Sequence, residues 1–281
     1  MRDVIVVGCG IVGSTIALAL QQQKRDVLIL DDKNELAGTP PSGGHAKPSW
    51  FSGMKKSEYE PALEMLSNTH GMSEESFVIK PSAGLACTTV FRVDTDKVRS
   101  RVAKITTIAH VDELTELETK HPCVTYNGEK ERCRLLIIAA GIWCRDLLPQ
   151  EFPNKSLVAK QGVSFRFPGK LKKPFIKPWA PYKQIVAHQQ GENEIWVGDG
   201  TAMYPENWPE TRNQVCQSRC RAALGLKAMP IRSIVGLRPY HAAKPCYVNK
   251  IGPSVWVATG AGKLGTVAGG YAAVEIVRAT S

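Results

Sequence analysis

The 281-residue sequence has no run of about 18 apolar residues, the length a bilayer-spanning helix requires. Its first apolar stretch, Val4–Val7, leads into glycines and not into a small-residue cleavage site, so no secretion signal is expected. The eight cysteines, at 9, 87, 123, 133, 144, 216, 220 and 246, include no Cys-x-x-Cys pair. They read as reduced thiols of a cytoplasmic protein. Cys216 and Cys220 lie four apart on a predicted helix but lack an accompanying histidine pair, so they read as two thiols on one face and no metal site is expected. No internal repeat or low-complexity tract interrupts the chain.

What is present points to a sizeable soluble protein. With 43% hydrophobic residues the chain can bury more than one small α/β core, and two lobes are expected. Basic residues outnumber acidic ones by 36 to 26, a formal charge of +10. Such an excess suggests a polyanionic partner, with nucleic acid the first candidate.

Strand and helix signals alternate at the start. Val4–Val7 and Val27–Leu30 are short β-branched or aliphatic runs of the kind found in buried parallel strands, and residues 11–23 between them carry helical periodicity. Residues 39–53 are rich in Gly, Pro and Ser, and a polar helix is expected over 57–70. Short strands follow over 77–93, mixed signals over 98–119, and another buried parallel strand over Leu135–Ala140. From 156 to 201 the strands are separated by Pro, Gly and Lys, the pattern of an antiparallel sheet. A helix over 215–226, a strand over 255–259 and a helix over 266–279 complete the chain.

Gly8, Gly10 and Gly13 form G-x-G-x-x-G between the first strand and the first helix. The first glycine permits a tight turn, the second admits backbone amides to a pyrophosphate, and the third lets helix and strand pack closely. Ile11 and Val12 place the helix N-terminus, with its unpaired N–H groups, against the phosphates. Asp31 ends the second strand roughly 20 residues on, where a ribose-binding carboxylate belongs, with Asp32 as the alternative acid. An acid there favours the free ribose diol of FAD or NAD over a 2′-phosphate.

Beyond this loop, several segments carry a family likeness. They are Pro41-Ser42-Gly43-Gly44-His45-Ala46, Val90-Phe91-Arg92-Val93-Asp94, Leu136-Ile137-Ile138-Ala139-Ala140-Gly141-Ile142-Trp143, Gly236-Leu237-Arg238-Pro239 and Thr259-Gly260-Ala261-Gly262-Lys263-Leu264-Gly265. In order and spacing the chain resembles the D-amino-acid oxidase and glycine or sarcosine oxidase group of FAD-dependent oxidoreductases over nearly its whole length. The resemblance implies an α/β Rossmann-type FAD-binding domain (1–52, 94–155 and 235–281) with an interleaved α+β substrate domain built on an antiparallel sheet (53–93 and 156–234). It implies FAD as cofactor, contacted by the glycine loop, by Asp31 or Asp32, and by Ser42, Gly43, Gly44, His45 and Ala46. Ala140, Gly141, Trp143, Gly262, Lys263, Leu264 and Gly265 would approach it from the two later segments.

The implied chemistry is oxidation of a C–N bond by hydride transfer to the flavin, followed by imine hydrolysis. Arg238 would hold a substrate carboxylate, since its planar fork makes two parallel charge-assisted bonds. Lys263 would stabilise charge on the reduced flavin or assist oxygen. Tyr240, next to Arg238-Pro239, is the third catalytic candidate, while Tyr182, His188 and Tyr204 fall where aromatic walls are expected. A flavoprotein whose FAD is purely structural, or an NAD-dependent dehydrogenase, would carry the same loop.

The chain departs from the family in two ways. It is shorter than typical relatives, and residues 240–245 read Tyr-His-Ala-Ala-Lys-Pro where relatives commonly carry an aspartate before the proline. Residues 166–183 interleave Lys170, Lys172, Lys173 and Lys177 with Phe167, Phe175, Trp179 and Tyr182, a composition suited to phosphate contacts with base stacking or to an ordinary solvated hairpin. With the net charge, this points to an amino-acid-like group carried on a nucleic-acid base. The flavin domain of the enzyme that trims carboxymethylaminomethyl-uridine in tRNA is a family precedent.

Overall fold

The computed structural model describes residues 1–39, 42–46, 54–79, 86–148, 157–181, 183–241 and 246–281, with the side chains of Ala86 and Lys263 outside that description. The chain begins with β1 (Arg2–Val7), α1 (Ile11–Gln22) and β2 (Val27–Asp31). It then crosses to a second sheet for β3 (His45–Ala46), and α2 (Lys56–His70) precedes the hairpin strands β4 (Ser73–Ile79) and β5 (Ala86–Arg92). A short helix α3 (Val98–Arg101) returns it to the first sheet through β6 (Thr106–Ile108), β7 (Val111–Thr115), β8 (Cys123–Tyr126) and β9 (Glu129–Ile138).

After α4 (Cys144–Leu147), the strands β10 (Leu157–Pro168), β11 (Phe175–Ala180), β12 (Lys183–Gly191) and β13 (Glu194–Gly198) build the second sheet. Helix α5 (Arg212–Leu224) covers it, and β14 (Arg232–His241) closes its edge. Strands β15 (Tyr247–Gly252) and β16 (Val255–Thr259) and the final helix α6 (Gly265–Thr280) rejoin the first. Among the described residues no helix is long and apolar enough to cross a membrane.

The first sheet runs β15-β16-β9-β1-β2-β6, with β1 at its centre. Val4–Val7 lie in parallel register between Val27–Leu30 and Leu135–Ile138. Being covered on both faces, these strands are aliphatic throughout, which is why the sequence shows runs there and not alternation. The second sheet runs β14-β10-β13-β12-β11-β4-β5-β3 and is antiparallel except where β11 meets β4. Its odd positions on β10, Val163, Phe165 and Phe167, enter a core shared with Cys216 and Cys220 of α5. The opposite face carries Lys160, Gly162 and Ser164, because successive side chains of a strand alternate.

The division between sheets departs from the expected boundaries at three places, the first being β3, which pairs with β5 in the second sheet although residues 1–52 were expected with the dinucleotide half. Strand β14 belongs to the second sheet, pairing with β10 from Leu157↔His241 to Arg166↔Arg232, although residues from 235 on were expected with the dinucleotide half. Helix α2 packs against α1 and α6 of the first sheet. The reason is steric: a Cβ at Gly270 would collide with the carbonyl of Ala62, and one at Gly269 would fall 3.0 Å from the carbonyl of Ile11, so the glycines of α6 let both helices close on it.

Candidate active site

One cavity of about 820 Å3 is lined by residues of both sheets. That size is within the usual range for a small-molecule or cofactor site.

Its first wall is built from backbone. Gly8 adopts φ +101°, and a Cβ there would fall 2.6 Å from the carbonyl oxygen of Ala139. Only glycine satisfies both conditions. A Cβ at Gly13 would collide with the carbonyl of Gly8, so this third glycine holds α1 against the loop and does not itself line the cavity. Gly8, Gly10, Ile11 and Val12 do line it. The Ile11 amide at the start of α1 donates to Thr39 Oγ1 at 2.9 Å. The Cys9 amide donates to Asp31 Oδ1 at 3.1 Å, and the Arg99 guanidinium lies 3.3 Å from the other Asp31 oxygen.

Of the two candidate acids, Asp31 is buried at the strand end while Asp32 is exposed and accepts the Asn34 amide at 2.9 Å; both border the cavity. Open backbone, a helix N-terminus and a buried acid in this order suit a dinucleotide's pyrophosphate and ribose diol.

Ser42, Gly43 and His45 form a second part of the lining, with Ala140, Gly141 and Trp143 beyond β9, Gly262 just before α6 and Gly265 at its first position. Thr259 Oγ1 fixes the turn by donating to the Gly141 carbonyl at 2.6 Å. Three residues expected at the cofactor stand behind this wall. Gly44 is pinned by the Val93 amide, which donates to its carbonyl at 3.0 Å. Ala46 and Leu264 are buried against Leu63, Leu66 and Val267, because the apolar side of each turn packs on α2 and α6. Lys263 belongs to a single helical turn, Gly262–Leu264, and its side chain lies outside the described residues, as do Pro41, Tyr182 and residues 242–245.

The second wall is built from side chains. Arg238 and Tyr240 both line the cavity from β14. The Arg238 guanidinium leans over Gly162, where a Cβ would sit 3.0 Å from its Cζ. Among the described residues no carboxylate lies within ion-pair distance of it. The Tyr240 ring packs where a side chain at Gly262 would have to go, its Cδ1 2.7 Å from that Cβ position.

His45 comes from the loop side but joins the second sheet. Its Nε2 lies 3.0 Å from His188 Nδ1, His188 Nε2 lies 2.7 Å from Gln190 Oε1, and Gln190 Nε2 donates to Asp96 at 2.5 Å. An amide oxygen only accepts, so His188 carries its proton on Nε2 and accepts from His45. His45 Nδ1 is thereby left as a bare acceptor beside Gly43. Burial, with the Arg92 charge adding to it, pushes His45 down to about 3, and His188 also falls well below its ordinary value. Both imidazoles are neutral at ordinary pH. Trp196 stacks on His188 with ring centroids 5.1 Å apart and also borders the cavity.

The basic–aromatic segment differs from expectation. Lys170, Lys172, Lys173 and Lys177 are exposed, but Phe167 and Phe175 are core residues and Trp179 packs face to face with the Arg219 guanidinium, 3.6 Å from its ring centroid. Alternation along β10 and β11 turns these rings inward, so they are not available to stack on bases.

Thr39 and Arg99 line the cavity and Lys160 stands opposite Arg238 in the sheet, and none of the three is marked by the sequence. Thr39 and Arg99 belong to no motif, and Lys160 gains meaning only from its pairing with Arg238 across β10 and β14.

No curated protein matches the sequence significantly. Among solved structures, a glycine oxidase from Bacillus cereus superposes with a TM-score of 0.72 at 15% identity, covering 100% of this chain and 96% of its own. An iminodiacetate oxidase from a Chelativorans species gives 0.70 at 15% identity, with 97% and 93% covered. A glycerol-3-phosphate dehydrogenase from Bacillus halodurans, complexed with FAD, gives 0.69 at 16% identity, with 99% of this chain but 64% of that one covered. At such identities the likeness shows the shared fold, which serves amine and alcohol substrates alike. The family model described as FAD dependent oxidoreductase (DAO) matches residues 3–79 and 95–279. With that match across nearly the whole chain, over a cavity shaped for a dinucleotide, the protein belongs to the DAO family of FAD-dependent oxidoreductases.

Proposed function

We propose that the protein oxidises the C–N bond of an amino-acid-like amine whose carboxylate is held by Arg238. The observation that carries this reading is a guanidinium on the cavity wall with no acidic partner among the described residues. An arginine so placed pairs with an anion brought by the ligand, and a carboxylate matches its fork. FAD, when bound, supplies the acceptor for the two electrons and the hydrogen leaving the substrate's α-carbon.

The chain's own residues do the rest. Gly8, Gly10 and Ile11 would hold the pyrophosphate and Asp31 the ribose, with Ser42–His45, Ala140–Trp143 and Gly262–Gly265 enclosing the remainder. Arg238 orients the substrate, Tyr240 forms the wall beside it, and His45 accepts a hydrogen bond through Nδ1. Lys263 is proposed to balance negative charge near the turn that carries it.

Arg238→Ala tests the reading. It should retain the flavin spectrum and lose turnover of carboxylated amines such as glycine and sarcosine, with partial recovery in Arg238→Lys. Unchanged kinetics would remove Arg238 from the site.

A second reading places that amine on a nucleic-acid base. Its support is the exposed set Lys170, Lys172, Lys173 and Lys177 together with the +10 charge. The inward-facing Phe167 and Phe175 confine this version to phosphate contacts. Salt-dependent binding of an oligonucleotide, weakened by charge reversal of these lysines, is the result it requires.

A further inference from the structure

Among the described residues, several cations on or against the second sheet are paired with acids. Arg166 meets Asp96 and Glu194, Arg92 meets Glu75, and Arg219 meets Asp199. At the centre of the β10–β14 pairing, however, Lys160 stands directly opposite Arg238. Directly opposed residues share a face of the sheet, and like charges in that position repel. Neither has a carboxylate within ion-pair distance among the described residues.

Aromatic rings hold the lysine in place. The Lys160 ammonium lies 4.9 Å from the Tyr240 centroid and 5.3 Å from that of Tyr204. Tyr240 itself lines the cavity, whereas Lys160 and Tyr204 are not among its lining residues; contact with the Tyr240 ring is what brings Lys160 close to it. Arg238 leans the opposite way along the strands, over Gly162. The two cations therefore diverge, one toward Tyr240 and one toward Gly162, on one face of one strand pair. An anion shared by both would have to be short, and the divergence favours two anionic groups separated by several bonds.

We propose that the substrate is a dianion: an amine bearing two carboxylates, one bound by Arg238 and the second by Lys160 between Tyr204 and Tyr240. This rests on the reading of Arg238 given above and narrows it from amino acids in general to dicarboxylic ones. The repulsion between Lys160 and Arg238 is relieved when such a ligand binds, so a monocarboxylate leaves one cation without an anion. Lys160 is a specificity-determining residue on this account.

The test uses the FAD-loaded protein and two matched pairs of compounds. For binding without turnover, calorimetry compares succinate with propionate, which differ by one carboxylate. For turnover, kcat/KM is compared for iminodiacetate and sarcosine, which differ in the same way. We expect the dicarboxylate to be favoured by roughly tenfold or more in both, the factor of a charge-assisted hydrogen bond. Lys160→Met, which keeps the apolar stem, should bring both ratios toward one, and Lys160→Arg should restore them. Equal binding of succinate and propionate by the wild-type protein, or a preference that survives Lys160→Met, overturns the proposal. If Lys160→Met does not fold, the wild-type ratios alone decide. Oxidation of sarcosine that depends on Arg238 but shows no dicarboxylate preference would leave the amine-oxidase reading standing and remove this one. Tight succinate binding that depends on Lys160, without turnover of any amine, would keep the two-carboxylate site but overturn the amine as its ligand, and the amine-oxidase reading with it.

Discussion

The two walls of the cavity are made in opposite ways. The wall from the first sheet is a place where side chains are missing, with Gly8 approaching Ala139 and Gly13 packed on Gly8. The wall from the second sheet is a place where side chains accumulate, with Arg238, Tyr240 and His45 lining the cavity and Lys160 and His188 packed against them. The first should be destroyed by adding a carbon and indifferent to charge. The second should tolerate volume changes at its edges and respond to every change of charge. A steric wall suits a ligand that does not vary, and a charged wall suits the ligand that defines specificity.

The sharpest way to break this contrast is Gly13→Val. Its side chain would occupy the position of the Gly8 carbonyl, so flavin retention should be lost, read as a colourless protein with a lowered Tm. Next comes Arg238→Ala, for which transition-state stabilisation should fall by about 2–5 kcal/mol, the cost of deleting one partner of a buried charge pair. The flavin spectrum should persist; its loss would mean that the two walls are not separable. Lys160→Met should act only at the second carboxylate, with the roughly tenfold effect given above.

The histidine pair gives a pH test. Folded His45 takes up a proton only near pH 3 and buried His70 only near 4, whereas unfolded histidine does so near 6.5. The unfolded chain therefore binds more protons in that window, and stability should decline as pH falls from about 6.5 toward 4, the neutral side being the stable one. His188→Phe should flatten this decline in denaturant titrations, and an unaltered slope would exclude His188 from it. The smallest effect belongs to the exposed loop. Charge reversal at Lys170, Lys172 and Lys173 should leave fold and flavin untouched and change only the salt dependence of oligonucleotide binding.

The same contrast explains what could be read from sequence. Gly8, Gly10, Gly13 and Asp31 are close neighbours along the chain, and the strand–turn–helix that carries them is local, so both the loop and its ligand class were legible. Arg238 was legible through a short motif. The pairing of Lys160 with Arg238, and of His45 with His188, depends on register between strands far apart in sequence, and no local pattern encodes it. The inward turn of Phe167 and Phe175 escapes the sequence for a related reason: composition shows bases and rings interleaved, but which face of β10 or β11 each ring takes is set by how those strands pack in the sheet.

The chain passes repeatedly between the sheets, and β1, laid down first, lies at the centre of its own sheet between β2 and β9. Its neighbour on one side is made after a single intervening helix, but β9 follows only after β3, β4 and β5 have been placed in the other sheet, and β16 must still join beyond it. During synthesis the dinucleotide loop therefore exists long before Ala139 and Gly262 are available to enclose it. Assembly of this enzyme should be slow, with contacts of long sequence separation setting its pace. FAD should be captured late, as the event that locks a nearly finished molecule and not as a template around which it grows.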